Sequence, residues 1–173
     1  MSEISENRLR DEIEALRAEV RELRDHRDIA ALFDKFFFFE DRKTMDDAWA
    51  HSIFTDDVLL ELPPENYHGI EGLAAHITDV VGLFGPTHHT TTDCHADIDG
   101  DLASARVNLT ATHEHVASGE PPLIVWGYIE ARARRTAAGW RLNRMNLTKV
   151  LRTGDAPPGY TFDENLNVLA VND

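Results

Sequence analysis

Leu9, Ile13, Leu16, Val20 and Leu23 recur at alternating spacings of four and three within a charged segment from residue 6 to residue 26. Two helical turns per seven residues bring all five onto one seam, with acids and arginines around it. The spacing therefore predicts a helix whose stripe either joins two subunits as a short coiled coil or lies against its own domain. Fewer than three full heptads are present, which makes such a coil marginal alone and in need of help from the globular part. A helical period restarts at Asp28-Ile29-Ala30-Ala31-Leu32-Phe33-Asp34-Lys35-Phe36, and Thr44-Met45-Asp46-Asp47-Ala48-Trp49 reads as a capped second helix. Asp56-Asp57-Val58-Leu59-Leu60-Glu61-Leu62 reads as a strand stopped by Pro63-Pro64, and a third helix begins at Gly69 and ends between Gly82 and Pro86. Residues 87–98, 102–116, 122–135 and 139–151 are strand-length or longer, parted by Asp99-Gly100-Asp101, Ser118-Gly119-Glu120-Pro121-Pro122 and Ala137-Ala138-Gly139, which are hairpin signals.

Helices followed by a meander predict an α+β domain, a cone-shaped barrel in which a curved antiparallel sheet packs on the N-terminal helices and leaves an open end for a pocket. The layout expected is an N-terminal amphipathic or coiled-coil helix over 1–26, the α+β barrel over 27–152, and a C-terminal tail over 153–173. Gly154-Asp155-Ala156-Pro157-Pro158-Gly159 leaves the sheet, and the residues after it are placed to cover a pocket mouth or a neighbour.

The chain's 173 residues suffice for one core and one ligand cavity. Acids outnumber Lys and Arg by 31 to 17, for a net charge of -14, so no basic stripe is available for nucleic acid or for an acidic membrane surface. No apolar run approaches membrane-spanning length, and the polar start Met1-Ser2-Glu3-Ile4-Ser5-Glu6 lacks the layout of a signal peptide; a cytoplasmic protein is expected. The single cysteine, Cys94, reads as a small buried residue in a strand, since no basic neighbour would stabilise its thiolate.

Candidate chemistry centres on Gly85-Pro86-Thr87-His88-His89-Thr90-Thr91-Thr92-Asp93 and on the apolar run Phe36-Phe37-Phe38-Phe39, which ends abruptly in Glu40-Asp41-Arg42. A histidine in apolar surroundings can accept a proton near neutral pH, and a carboxylate beside it orients and charge-stabilises it. Asp41 and His89 are the candidate pair; the alternative is a core histidine and a solvated helix end. On 102–116, Ala103, Ala105, Val107, Leu109, Ala111, His113 and His115 share one face by alternation, so the two histidines continue a core-facing row or else reach solvent. Trp126 and Tyr128 share one face of 122–135 with Val125 and Ile129 on the other, and Arg144 and Asn146 alternate with Met145. Tyr128 could donate to a substrate oxygen, and Arg144 and Asn146 could polarise one. His113, His115 and Glu120 also have the H-x-H-x4-E spacing of a cupin metal site, although cupins are all-β. No phosphate cradle, nucleophile elbow or dinucleotide fingerprint is present, so no cofactor and no metal is expected.

Taken in order, Glu40-Asp41-Arg42, Ile53-Phe54-Thr55-Asp56-Asp57-Val58, Tyr67-His68-Gly69-Ile70-Glu71-Gly72, Pro86-Thr87-His88-His89, Asp99-Gly100-Asp101-Leu102-Ala103 and Gly139-Trp140-Arg141-Leu142 resemble the nuclear transport factor 2-like superfamily, in its SnoaL-like and scytalone dehydratase-like branch, over residues 27 to 152. The resemblance implies an aspartate at the end of the first helix, matched by Asp41, that orients a proton-abstracting histidine, matched by His89, with His113 near a second pocket histidine. Glu40 stands where the dehydratase has a tyrosine, and the family's Ser and Asn substrate contacts correspond only loosely to Trp126 and Tyr128. The expectation is a cofactor-independent, dehydratase-type lyase acting on a small apolar cyclic or polyketide-like molecule. His89 and Asp41 would be catalytic, and His113, Tyr128, Trp126, Arg144 and Asn146 would bind substrate. An isomerase or cyclase, or a non-catalytic binding and dimerisation module, is the alternative; a homo-oligomer, dimer or trimer, is expected.

Overall fold

The computed structural model describes residues 3–63, 65–117, 119–163 and 168–170; Pro64, Ser118 and residues 164–167 and 171–173 of the tail lie outside the described residues. No glycine or proline interrupts the chain before Lys43, so the heptad helix and the apolar helix after it run on as one, α1 (Glu3–Arg42). At 1.5 Å per residue it is roughly 60 Å long. Its C-terminal half buries Ile29, Phe33, Phe36 and Phe37, whose three- and four-residue spacings put them on one face.

The end of α1 is set by Lys43, a non-glycine residue with φ 52°. Its amide donates to the Glu40 carbonyl at 2.9 Å and that of Thr44 to the Phe39 carbonyl at 3.1 Å, the paired bonds of a Schellman stop. The Lys43 ammonium donates to the Phe84 carbonyl at 2.6 Å and helps hold this left-handed turn, leaving Glu40 and Asp41 in the last helical turn. Asp46 caps α2 (Asp47–Ile53) by accepting from the Trp49 amide. The chain then enters β1 (Phe54–Leu62), β2 (Glu65–His68), α3 (Leu73–Gly82), β3 (Thr87–Asp99), β4 (Leu102–His113), β5 (Leu123–Thr136) and β6 (Gly139–Thr153), followed by the short pair β7 (Tyr160–Phe162) and β8 (Val168–Ala170). The third helix starts at Leu73, four residues later than expected, after Gly72 at φ 75°.

Among the described residues the main sheet has the order β2-β1-β6-β5-β4-β3. The α+β class is as expected, with one change: the sheet is mixed and open rather than wholly antiparallel and closed into a barrel. The meander β3 to β6 starts at one edge, and its last strand returns to lie parallel to β1. The inner face carries the expected row Ala103, Ala105, Val107, Leu109 and Ala111 on β4, packed beneath the three helices. Cys94 is exposed rather than buried, because it follows Asp93 (φ 56°) in a bulge between Thr92 and His95 on the edge strand. Partial burial, with the Asp34 charge nearby, still pushes its thiol above the usual range. No helix among the described residues is long and apolar enough to cross a membrane.

Candidate active site

The first residues of β3 meet the last turn of α1. Thr87 and His89 alternate onto the same side of the strand, and both reach Asp41. The Thr87 hydroxyl donates to Asp41 Oδ1 at 2.9 Å, the His89 amide donates to Oδ2 at 2.9 Å, and His89 Nδ1 lies 2.6 Å from Oδ1. Burial alone would raise the Asp41 pKa, but the hydrogen bonds from the His89 ring and amide, the His89 charge and the Thr87 hydroxyl bring it down to about 2. Asp41 is then an ionised acceptor, so Nδ1 carries the proton and Nε2 is the free basic nitrogen of the neutral ring.

The His89 side chain is only 3% exposed. Phe37 stacks on it at 4.8 Å between centroids, and His113 meets it edge-on at 5.1 Å. Burial acts to lower the His89 pKa; chiefly the hydrogen bond with Asp41, joined by the Asp41 charge, overcomes this and raises it above its ordinary value. His88, one residue earlier, is 79% exposed with its Nδ1 3.9 Å from Asp41 Oδ2, so of the two adjacent histidines only His89 lines the cavity.

Both His89 and Glu40 line a cavity of about 150 Å³, walled by Phe36, Phe37, Leu60, Ile77, Val81, Leu109, Val125 and Met145 among others. Glu40 Oε1 is 3.9 Å from His89 Nε2, and Oε2 is buried without a hydrogen-bond partner among the described residues. Burial raises the Glu40 pKa against the opposing influence of the His89 charge. His113 also faces the cavity; burial and the neighbouring His89 charge lower its pKa to about 4, which leaves it neutral at pH 7. Thus three groups able to hold or move protons gather at one end of a mostly apolar chamber, whose lining also includes Glu65, His76, Lys149 and Tyr160. Pro157, Tyr160 and Phe162 of the tail form part of the wall, so the segment after the sheet does cover the pocket.

Asp41, His89 and His113 are brought together as expected. Tyr128, Trp126, Arg144 and Asn146 are not: they stand on the opposite face of the sheet, since the members of β5 and β6 that line the cavity are Leu123, Val125 and Ile129, and Met145, Leu147 and Lys149. The Arg106 guanidinium covers the Tyr128 ring at 4.1 Å, Arg144 makes two hydrogen bonds to Glu61 at 2.6 and 3.1 Å, Trp126 is 36% exposed, and Asn146 borders a polar depression with His95 and Asp97. The cupin-like spacing does not assemble either. His115 approaches Glu120 at 3.6 Å while His113 packs on Phe84 at the cavity, and no group of three or more His, Cys, Asp or Glu among the described residues is gathered as a metal ion requires. Glu40 is the group sequence reasoning passed over. Its spacing of four and three from Phe36 and Phe37 places it on the buried stripe, and that was the available signal.

The family model described as a SnoaL-like domain matches residues 21–146. No curated protein matches the chain. Among solved structures, the Kfla4162 protein from Kribbella flavida is 25% identical with a TM-score of 0.68, the match covering 75% of this chain and 93% of that one. A candidate scytalone dehydratase from Novosphingobium aromaticivorans is 17% identical with a TM-score of 0.70, covering 84% and 93%. The hexachlorocyclohexane dehydrochlorinase LinA-type3 from Novosphingobium barchaimii is 16% identical with a TM-score of 0.69, covering 80% and 94%. The two latter likenesses are of fold. With a family model spanning most of its length and an α+β frame of the same kind as these neighbours, the chain belongs to the SnoaL-like domain family.

Proposed function

We propose that this protein is a cofactor-independent lyase of the dehydratase type, acting on a small apolar molecule of about one ring. The observation that carries this reading is the 2.6 Å contact of His89 Nδ1 with Asp41 Oδ1 at the end of an apolar cavity, which leaves Nε2 directed to the side where Glu40 lies. A cavity of about 150 Å³ is of the size that accommodates a benzene-sized guest.

In the reaction, His89 Nε2 takes the proton on the carbon next to a substrate carbonyl. The C–H electron pair forms the new double bond, the β carbon–oxygen bond breaks, and the departing hydroxyl takes the proton of the neutral Glu40 carboxyl and leaves as water. His89 is then an imidazolium stabilised by Asp41, and Glu40 is a carboxylate 3.9 Å from it; return of the proton from one to the other restores the starting state. Neutral His113 is placed to donate to the carbonyl oxygen as negative charge develops there. Burial, which raises the Glu40 pKa, favours the protonated carboxyl that the acid step needs. Isomerisation would use the same base with Glu40 returning a proton to a different carbon. Dehydration is preferred because Glu40, whose pKa burial raises, is a second group beside the base that can serve a leaving group as acid.

The test is a panel of single-ring β-hydroxy carbonyl compounds assayed for loss of water. His89→Ala is expected to lower turnover by about 10²- to 10⁴-fold, the usual contribution of a placed general base, and added chelator is expected to leave the rate unchanged. Full activity in His89→Ala, with the fold intact, would sink the mechanism.

A further inference from the structure

The heptad stripe finds no cover in its own domain. Residues 6–24 are exposed on every side, and Leu9, Leu16 and Leu23 are 53, 60 and 63% exposed, with Ile13 and Val20 at 40 and 43%. The first anchor to the body is Asp25, whose carboxylate accepts two hydrogen bonds from Arg135 at 2.7 Å and one from Trp140 Nε1 at 2.9 Å. Ahead of that clamp α1 projects as a free stalk of roughly 28 Å at 1.5 Å per residue. A lone helix of that length is marginal in water, and a continuous row of exposed branched apolar side chains marks an association surface.

We propose that the stalk pairs with a second copy of this chain as a parallel, in-register, two-stranded coiled coil. Three features of the sequence on this helix select that occupant. First, the spacing assigns Ile13 and Val20 to the a positions and Leu9, Leu16 and Leu23 to d; β-branched residues at a with leucine at d favour two strands. Second, Glu12 and Glu19 fall at g, and Arg17 and Arg24 at e. In a parallel pair each g residue meets the e residue five positions on in the other helix, so Glu12 faces the partner's Arg17 and Glu19 faces the partner's Arg24, on both sides of the seam. An antiparallel pair would set glutamate against glutamate and arginine against arginine. Third, at 100° per residue the seam lies about 150° around α1 from the core-facing Ile29, Leu32, Phe33, Phe36 and Phe37, all buried. Two joined stalks therefore carry their bodies on outer sides, and the help so short a coil needs comes from each stalk's own body, through the Asp25 clamp to Arg135 and Trp140 that fixes its base.

The full chain in a Cys94→Ser background tests this. Sedimentation across the micromolar range is expected to give a dimer. Glu12→Lys with Glu19→Lys, and separately Arg17→Glu with Arg24→Glu, are each expected to weaken it at least tenfold, and mixing the two is expected to restore a heterodimer. Leu9→Cys and Leu23→Cys are each expected to form a disulfide-linked dimer alone, while Asp11→Cys, on the outer face, is not. Crosslinks that form only when the Leu9→Cys and Leu23→Cys proteins are mixed mean an antiparallel pair and overturn the proposal. A trimeric mass, or a monomer throughout the range with the stalk left for a different protein, overturns it equally.

Discussion

Asp41 sits in the last turn of a helix, where the macrodipole disfavours a carboxylate, and three hydrogen bonds from Thr87 and His89 offset that cost. Such a local conflict is characteristic of functional positions. Because the hydrogen bond with Asp41 and its charge raise the His89 pKa, kcat/KM is expected to rise with pH along a limb lying above about 6.5, the ordinary histidine value. Asp41→Asn is expected to move that limb towards acid and to lower kcat, since it removes both the hydrogen-bonding anion and its charge; a pH–rate profile checks both. Stability follows the opposite sign for the carboxylate. Asp41 is held down at about 2, so its contribution is present above the ordinary carboxylate range and is lost as pH falls towards 2. The Asp41–His89 pair was legible because an apolar helix ending in acids and a strand opening with histidines point to one place. Tyr128, Trp126, Arg144 and Asn146 were misplaced for a definite reason. Alternation shows which residues share a face, but Ile124, Trp126 and Tyr128 on one side of β5 are as apolar as Leu123, Val125 and Ile129 on the other, so it could not show which face is inward.

The elements that hold the site are fixed by a few contacts. Gly127 on β5 leaves no room for a side chain, because a Cβ there would collide with the Thr148 carbonyl oxygen on β6. Gly127→Ala is expected to destabilise the protein by about 1–3 kcal/mol, the usual cost of overpacking, read as a lower chemical-denaturation midpoint. At the other end of the inner face, Asp25 ties α1 to β5 and β6 through Arg135 and Trp140, and its pKa is lowered to about 2, first by the hydrogen bonds from Arg135. Asp25→Ala is expected to cost about 1–2 kcal/mol at neutral pH, and that difference from the parent protein is expected to shrink as pH falls from about 4 towards 2, where the parent loses the same carboxylate. Helices and hairpins were readable from period and turn residues, since these are local signals. The parallel pairing of β1 with β6 was not, because it joins strands about ninety residues apart and no local pattern encodes it.

The whole molecule combines a small apolar chamber with an acidic exterior of net charge -14. The chamber's size makes a direct demand on ligands. A single-ring compound that enters it is expected to raise Tm by several degrees at about a hundred times its Kd, from a stabilisation of about 2.7 kcal/mol. A fused three-ring compound is expected to give no shift, and thermal melts of the two series check this. Dimerisation through the stalk is a separate property of the same chain: stalk variants are expected to change mass in solution without changing turnover, because residues 6–24 lie ahead of the body that holds His89.

The most direct test of the proton-transfer site needs no substrate. Nitrogen-15 NMR of the imidazole rings, assigned through His89→Gln, is expected to show His89 titrating above about 6.5, and in its neutral form to carry the proton on Nδ1 with Nε2 unprotonated. In Asp41→Asn the titration is expected to move to lower pH. A neutral His89 protonated on Nε2, or a titration below 6.5 that Asp41→Asn leaves unchanged, would contradict the assignment of His89 as the base held by Asp41.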